Sequence, residues 1–525
     1  MLRKLYSIPL LFFIVKTGTH LALATRYGIH RDELYFIEGG LHPDLGYVDH
    51  APLVPWLAGL MWTLSESLFV LRFPAAVAGG LAIVLTILLV REMGGGRSAE
   101  IIAGLCMLFA PALLRMGGLL HLPVFGVLFW TAGAYLLTRM AKGGSPRLWL
   151  LMGALAGVGL LNKHTMAIFG LGLVAVLVST PLRAHLRTPW PWLGGLLSLA
   201  IFAPNVFWQA QNNWPTLEFI ANMRGRTYAK IGTAGFLAGQ VLYMHPLSLR
   251  IWSAGLFTLL FGALKQFRAL AIVFLTVQVF FIFTGGKPYY TAGVFPGVLA
   301  AGAIAWERLL TGNAAYPRLR PAIFALLLTL GGAALLPASL PIIPLKQMDK
   351  FVVAVTGAVI KSPEDLTGDF HDQYGWREMA RLIENIHAKL PATERDHALV
   401  LARNYGQASA VNILGSGRVR AVSGHMSYHL WGLEHRAPKK SPLEQTRDIR
   451  FTAIAIGLPR ALLDLAFGDV RPAGRTSQPL ARAKEYNQIV YVCRDPRMSR
   501  SELRSAMKQY GFGLVSARFA GENKQ

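Results

Sequence analysis

The chain has 525 residues, of which 53% are hydrophobic and 15% are charged, and its mean hydropathy is +0.41. A water-soluble protein of this length needs more polar surface, so the composition excludes a soluble enzyme and indicates an integral membrane protein. A net charge of +24 would suggest nucleic acid as the partner of a soluble protein. Here the Lys and Arg residues must first be placed relative to the bilayer, and we expect no nucleic-acid partner.

Apolar runs alternate with short polar connections over residues 1–344, and most runs are about long enough to cross a hydrocarbon core of roughly 30 Å as a helix. We therefore predict a mainly α-helical, polytopic transmembrane bundle of about eleven spans. The predicted spans cover approximately residues 7–26, 73–90, 100–119, 121–138, 148–161, 166–180, 190–208, 236–262, 269–284, 289–306 and 321–340.

The basic residues of this region fall in alternate connections between the predicted spans. Such a bias is the positive-inside signature of cytoplasmic loops. It places the N-terminus in the cytoplasm and, after an odd number of crossings, the C-terminal region outside. The basic residues of the inner set are Arg3, Lys4, Arg91, Arg97, Arg139, Lys142, Arg147, Arg183, Arg187, Lys265, Arg268, Arg308, Arg318 and Arg320.

One further apolar run, APLVPWLAGLMWTLSESLFV at residues 51–70, is not counted as a span. Counting it would move every later basic loop to the outside. Pro52, Pro55 and Glu66 also argue against an uninterrupted transmembrane helix. We predict an interfacial or re-entrant segment.

The C-terminal region, residues 345–525, has ordinary mixed composition and is predicted to be a separate domain. It combines a helical pattern, WREMARLIENIHAKL, with strand-like runs such as HALVLARNY and NQIVYVCR. The run LVLARNYGQASAVNIL predicts a strand, a turn and a helix. We therefore expect a small extracytoplasmic α/β domain, and it contains no complete glycine motif for a nucleotide site.

Chemistry is expected where acidic and basic segments share the outer side. The first outer loop, YGIHRDELYFIEGGLHPDLGYVDHAPL, carries five carboxylates, and the segments LLNKHTM and TGGKPYY supply lysines and tyrosines. A carboxylate at a membrane surface can deprotonate an incoming hydroxyl, and a lysine can stabilise a phosphate leaving group. These are the requirements of a transferase that uses a lipid phosphate donor.

Two interpretations of Asp32 stay open at this point. Asp32 and Glu33 precede the apolar run LYFI, where desolvation can raise the pKa of a carboxyl group towards the working range of a general base. An aspartate at this place can equally cap the N-terminus of the helix that follows.

The segment RDELYFIEGGLHPDLGYVDHAPLVPWL resembles the first outer loop of bacterial glycosyltransferase family 39, the group related to aminoarabinose lipid A transferase and protein O-mannosyltransferases. Similar segments follow in the same order: GVGLLNKHTMAIFGLGLV, FAPNVFWQAQNNWPTLEF, TGGKPYYTAGVFP, DQYGWREMA, NYGQASAVN and SGHMSYHLWG. The resemblance implies a GT-C fold in a bacterial inner membrane, with a periplasmic C-terminal domain. It also implies transfer of a hexose or pentose from a polyprenyl phosphate to an envelope lipid, glycan or protein, with inversion at the anomeric carbon.

The resemblance assigns roles to the acidic loop. Asp32 matches the family's catalytic acidic position and would be the general base, with Glu33 in support. Asp49 and His50 match the second part of the loop motif. The family's usual HPPL is HAPL in this chain, which loses one stiffening ring after His50.

The resemblance also assigns the donor site. Lys163 and Lys287 would contact the donor phosphate, and Tyr289 and Tyr290 would line the lipid or sugar pocket. The resemblance implies no certain cofactor. The sugar-bearing polyprenyl phosphate is the donor substrate. Some relatives bind a divalent metal near the site, and the sequence does not decide whether this chain does.

Two other classes of function compete with the transferase. A transporter or flippase of lipid-linked sugars would also have many helices with polar groups, but it typically holds charges at mid-membrane on broken helices in paired halves, which we do not find in the sequence. A non-catalytic scaffold for envelope assembly is the second alternative, and it predicts that Asp32 can be replaced without effect.

Overall fold

The computed structural model describes residues 7–227, 232–312, 316–356, 364–432 and 451–511. The chain divides into two compact units. The first unit comprises Met1–Arg26, His50–Val54 and Met61–Ile343, and the second comprises Tyr27–Asp49, Pro55–Leu60 and Pro344–Gln525. The acidic loop is thus grouped with the C-terminal region. The predicted division into residues 1–344 and 345–525 instead places this loop in the transmembrane domain. Arg3 and Lys4 of the inner basic set lie outside the described residues.

Helices make up the described part of the chain before residue 344, which confirms the predicted mainly α, multi-span bundle. Six of the described helices are long and apolar enough to cross a membrane, or eight if each of two bent helix pairs forms one span. The α-helices are Ser7–Leu23, Arg31–Leu41, Leu53–Leu64, Leu68–Glu92, Arg97–Phe109, Pro111–Gly117, Leu122–Ala141, Leu148–Asn162, Met166–Ser179, Trp190–Gln211, Pro215–Thr227, Gly232–Tyr243, Leu249–Leu260, Arg268–Thr284, Phe295–Thr311 and Leu319–Ser339. Short 3₁₀ helices cover Pro181–Arg187, Pro246–Ser248, Lys265–Phe267 and Pro288–Val294.

The single span predicted over residues 236–262 is wrong. One helix ends at Tyr243, and a second begins at Leu249. Between them His245 has φ +76°, and it is followed by Pro246. Proline lacks an amide proton and disfavours helical geometry in the residue before it, so the chain breaks there.

The apolar run at residues 51–70 does not form a spanning helix. It contains the 12-residue helix Leu53–Leu64, and the next helix begins at Leu68. Twelve helical residues extend only about 18 Å, well short of a hydrocarbon core of roughly 30 Å. The helix in this run is therefore too short to cross the bilayer by itself. This agrees with the charge pattern, in which a crossing here would move the later basic loops to the outside.

Several of the basic connections meet at one end of the first unit. Hydrogen bonds join residues of different connections there. The connections that carry the basic residues in the sequence therefore lie at a common end of the bundle. The contacts are Lys142 Nζ–Glu92 Oε2 at 2.7 Å, Gly96 N–Glu307 Oε2 at 2.7 Å and Gln266 Nε2–Ala141 O at 3.1 Å.

Large apolar side chains are exposed on the outer surface of these helices. Phe283 is 86% exposed, Phe261 is 74% exposed and Val178 is 67% exposed. Such exposure would destabilise a protein in water, whereas hydrocarbon solvates these side chains. The protein is accordingly a multi-pass membrane protein.

The second unit contains the predicted small α/β domain. Its strands are β1 (Leu399–Ala402), β2 (Arg420–Ser423), β3 (Ala453–Ile456), β4 (Phe467–Arg475) and β5 (Ile489–Pro496), in the sheet order β2-β1-β3-β5-β4. The helices of the C-terminal region are Leu345–Thr356, Glu364–His371, Trp376–Ala388, Ala392–Arg395, Tyr405–Leu414, Ser427–Trp431, Arg460–Ala466 and Arg500–Gly511.

Strand β1 pairs in parallel with both of its neighbours. Val400 lies opposite Ala421 of β2 and Ile454 of β3. Strands β3, β5 and β4 pair antiparallel. Because the carboxyl ends of parallel strands meet at one edge of a sheet, the residues that follow β1 and β2 lie near each other, and this edge holds part of the candidate site.

Candidate active site

The helix Arg31–Leu41 carries the first acidic pair, and its start is fixed by a capping box. The His30 ring accepts a hydrogen bond from the Asp32 amide at 3.1 Å, and the His30 amide donates to Glu33 Oε2 at 3.0 Å. The N-cap residue is therefore His30, and the capping alternative for Asp32 is wrong. Glu33 is only 1% exposed and is part of the cap, whereas the Asp32 carboxylate has a partner outside the cap.

A close backbone approach fixes the other end of this helix. A Cβ atom on Gly40 would lie 2.0 Å from the carbonyl oxygen of Pro55 and 2.5 Å from the amide nitrogen of Gly59. No side chain fits at such distances, so glycine is required here. The contact holds the acidic helix firmly within the second unit.

Asp32 binds a tyrosine of the C-terminal domain. The Tyr405 hydroxyl donates to Asp32 Oδ1 at 2.6 Å. Arg31 Nε and His30 Nδ1 lie 3.9 Å from the carboxylate oxygens, and the Asp32 side chain is 25% exposed. The carboxylate is thus held by a short hydrogen bond and still reaches solvent.

Three neighbours surround the Tyr405 ring. The Arg31 guanidinium carbon lies 4.6 Å from the ring centroid, and the rings of Tyr35 and His425 lie at 4.6 and 5.2 Å. Burial raises the pKa of Tyr405 well above its ordinary value, with a further rise from the charge on Asp32, while Arg31 opposes it. The phenol therefore keeps its proton and acts as a donor.

Asp49 is held by a second tyrosine. The Tyr35 hydroxyl donates to Asp49 Oδ1 at 2.9 Å and lies 2.7 Å from Ser427 Oγ. Ser427 Oγ also accepts the Val48 amide proton at 3.1 Å. Burial raises the pKa of Tyr35 well above its ordinary value. Two neighbouring tyrosines, with ring centroids 4.6 Å apart, therefore each donate to one of the predicted loop carboxylates.

The sheet topology explains how distant residues join this cluster. Tyr405 is the first residue of the helix that follows β1, and Asn404 caps that helix by accepting the Gln407 amide proton. His425 and Ser427 follow the parallel neighbour β2. The sequence analysis does not identify Tyr35, Tyr405 and Ser427 as site residues, although Tyr405 and Ser427 lie in the segments NYGQASAVN and SGHMSYHLWG, which carry part of the family resemblance.

The predicted donor residues form a separate cluster within the first unit. Lys163 lies in the turn between two helices, and its Nζ is 4.2 Å from the centroid of the Tyr290 ring. Lys287 Nζ is 6.0 Å from the Tyr289 ring, and the two tyrosine rings are 4.8 Å apart. All four residues are therefore brought together.

Lys287 lies near enough to Lys163 to influence its protonation. Burial lowers the pKa of Lys163 to about 8, and the charge on Lys287 lowers it further in the same direction. Lys163, Tyr289 and Tyr290 line a small pocket together with Trp130 and Thr165. Two cations beside a pocket with aromatic walls can bind an anion that carries an apolar or sugar substituent.

His50 lies close to the same turn. Burial lowers the pKa of His164, and the charges on His50 and Lys163 lower it further, whereas a contact of 3.3 Å to Asn205 Oδ1 opposes the change. The His50 ring is also 3.2 Å from the carbonyl oxygen of Ala51. Within the first unit, His50 thus belongs with the lysine residues.

No cluster of three or more His, Cys, Asp or Glu side chains suited to a metal ion is found among the residues that the structure describes. The carboxylates of the second unit instead bind tyrosine hydroxyls and backbone amides. The groups that the structure brings together are carboxylates with hydrogen-bond donors in the second unit, and lysines with aromatic rings in the first.

Comparisons with known proteins identify a matching family model and structures of the same fold. Residues 49–208 match the family model described as dolichyl-phosphate-mannose-protein mannosyltransferase. No curated protein matches the chain in sequence.

Two crystal structures of ArnT from Cupriavidus metallidurans share the fold. The complex with undecaprenyl phosphate has a TM-score of 0.58 at 15% identity, and the apo form has a TM-score of 0.59 at 16% identity. Each alignment covers 92% of this chain and 97% of the ArnT chain. The chain therefore has a GT-C fold, which confirms the predicted fold class.

Proposed function

We propose that the protein is an inverting glycosyltransferase that moves a sugar, a hexose or a pentose, from a polyprenyl phosphate to a hydroxyl group of a cell-envelope lipid, glycan or protein. The observation that carries this proposal is the Asp32 carboxylate, held at 2.6 Å by the buried Tyr405 hydroxyl and still 25% exposed. A carboxylate that is oriented and accessible can serve as a general base.

In the proposed reaction, Asp32 accepts the proton of the acceptor hydroxyl while the oxygen of that hydroxyl attacks the anomeric carbon. The bond between that carbon and the phosphate oxygen breaks, and the polyprenyl phosphate leaves with the electron pair. Attack on the face opposite the phosphate inverts the anomeric centre. Lys163 and Lys287 would bind the phosphate group of the donor and hold it in place.

The other predicted residues have supporting roles in this proposal. Tyr289 and Tyr290 would line the pocket for the lipid or sugar, next to the lysines. Asp49 would help to organise the acidic loop through Tyr35, and Glu33 would fix the helix that presents Asp32. His50 would act beside Lys163 and His164.

The proposed location is the bacterial inner membrane, with the N-terminus in the cytoplasm and the C-terminal domain in the periplasm. Ser145→Cys at the basic end of the bundle should resist a membrane-impermeant thiol reagent in intact spheroplasts, whereas Ser477→Cys in the C-terminal domain should react. Both serines are exposed, and the native Cys106 and Cys493 are buried. The reverse labelling pattern would overturn the orientation.

A direct assay tests the activity. Purified protein is incubated with a radiolabelled polyprenyl-phosphate sugar and an extract of envelope lipids and glycans, and we expect release of polyprenyl phosphate with transfer of label to one acceptor. The anomeric configuration of the product should be opposite to that of the donor. A parallel sample with a chelator tests whether a divalent metal is required.

The same assay separates the competing classes. A flippase would move the labelled donor across a proteoliposome membrane and leave its sugar–phosphate bond intact. A scaffold would neither cleave nor move it, and Asp32→Asn would then support normal envelope assembly in cells. Either result would overturn the transferase proposal.

A further inference from the structure

We propose that Tyr405 is a positioning residue for the transfer reaction: its hydroxyl holds the Asp32 carboxylate in the orientation and the ionised form that a base needs. The C-terminal α/β domain would then supply part of the reaction machinery, beyond any role in binding. This inference rests on the proposed function, because it takes Asp32 as the base.

The geometry limits what the Tyr405 hydroxyl can do. It has one proton, and at 2.6 Å from Asp32 Oδ1 that proton is committed to the carboxylate. The ring cannot readily swing away, because Arg31, Tyr35 and His425 pack around it. Hydrogen bonds to an ionised acceptor are short and strong, so the Asp32 carboxylate is held in one orientation.

The hydrogen bond also biases the charge state of the base. A donor to a carboxylate stabilises the ionised form over the neutral acid. Because Tyr405 itself stays protonated, this bias persists through the pH range in which an enzyme works. Removal of the hydroxyl should therefore make the base easier to protonate.

Other charged and titratable groups lie near Asp32 and Tyr405 and would also contribute to the pH dependence of the reaction. His30 and Arg31 adjoin Asp32, and further groups surround Tyr405, Arg31 and His425. These groups are Asp49, Asp372, Arg403, Lys484 and Glu485.

The experiment is the pH dependence of kcat for Tyr405→Phe. Asp32 must be ionised to accept a proton, so activity falls as the pH falls through its titration. Loss of the donor should move this acidic limb to higher pH by about one unit and lower kcat at the plateau by about tenfold. The donor KM should change less than twofold, because the phenol does not touch the donor phosphate in this proposal.

Tyr428→Phe is the matched control. Tyr428 is also a buried tyrosine of the C-terminal domain, and its hydroxyl lies 2.9 Å from Ser409 Oγ. It should lose a buried hydrogen bond and keep the acidic limb of the wild type. If both variants shifted the limb equally, the effect would be structural and the inference would be wrong.

Incorporation of 3-fluorotyrosine at position 405 provides a second test should the phenylalanine variant fold poorly. The fluorinated phenol is a stronger donor of nearly equal size, so the acidic limb should move to lower pH. An unchanged limb would overturn the inference. If Asp32→Asn instead retained full turnover, the proposed function would fail; inactive Asp32→Asn with an unshifted Tyr405→Phe would remove only the role of Tyr405.

Discussion

The carboxylate–tyrosine cluster of the second unit (Asp32, Asp49, Tyr35 and Tyr405) and the lysine–tyrosine cluster of the first (Lys163, Lys287, Tyr289 and Tyr290) both combine charge with aromatic rings, but through different atoms. In the carboxylate–tyrosine cluster the tyrosine hydroxyls donate hydrogen bonds to carboxylates at 2.6 and 2.9 Å. In the lysine–tyrosine cluster the ammonium group of Lys163 faces the ring of Tyr290 at 4.2 Å.

This difference separates two kinds of task. The carboxylates are compensated by fixed donors, so their geometry is set before a substrate arrives. A cation over a tyrosine ring gains only about 0.5–2 kcal/mol, and among the described residues neither lysine of the cluster forms an ion pair. A phosphate can therefore replace the ring contact at little cost. The carboxylate cluster suits chemistry, and the lysine cluster suits binding.

The largest effect should come from the carboxylate cluster. Asp32→Asn removes the base without changing its size, and kcat should fall by about 10²–10⁴-fold with little change in the donor KM. Steady-state kinetics with the labelled donor measures both constants. Asp44→Asn is the control, because Asp44 is exposed in the same loop and its carboxylate accepts a hydrogen bond from the adjacent Leu45 amide. Equal losses in the two variants would contradict the assignment of Asp32.

Removal of a charge from the lysine cluster should produce the opposite pattern. Lys287→Ala should raise the donor KM by about 10–100-fold, as expected for the loss of one charged hydrogen bond, and leave kcat nearly unchanged. Lys265→Ala, at the basic end of the bundle, should alter neither constant. A fall in kcat without a change in KM would show that the two clusters do not divide the work in this way.

A pH titration sharpens the comparison within the lysine cluster. Lys163 is cationic below its pKa of about 8 and loses its charge as the pH rises, so the donor KM should increase up to about tenfold per pH unit above that value. Lys163→Arg stays charged at these pH values. Its KM should therefore remain flat to pH 9, and a rise as steep as that of the wild type would assign the titration to another group.

The smallest effect should come from the helix cap. Glu33→Ala removes the acceptor of the His30 amide, which should cost about 1 kcal/mol of local stability and speed amide hydrogen exchange in the helix Arg31–Leu41 about fivefold. Glu33→Gln keeps an acceptor and should exchange nearly as slowly as the wild type. Unchanged exchange in the alanine variant would mean that other contacts hold this helix.

The sequence revealed those features that depend on composition and spacing. Asp32 and Asp49 stand out because an apolar chain concentrates acids in one loop, and the alternation of basic loops anticipated that Lys163 and Lys287 could meet. The break at Pro246 was also present in the sequence, but the length of the apolar run outweighed the proline in our prediction.

The partners of the acids could not be predicted in this way. Tyr405 binds a residue 373 positions earlier in the chain, and its place depends on β1 and β2 being parallel neighbours. His425 reaches the same ring through the second of those strands. Local periodicity identifies a strand or a helix but carries no information about which strands become adjacent.

The Glu307 carboxylate at the basic end of the bundle has a consequence for biogenesis. It accepts the Gly96 and Ala99 amide protons and so neutralises the start of the helix Arg97–Phe109. During synthesis, that helix leaves the ribosome roughly two hundred residues before this carboxylate exists. The early segments must therefore wait in the translocon or the lipid for a late one, and truncated chains that end before Glu307 should be recognised by membrane quality control.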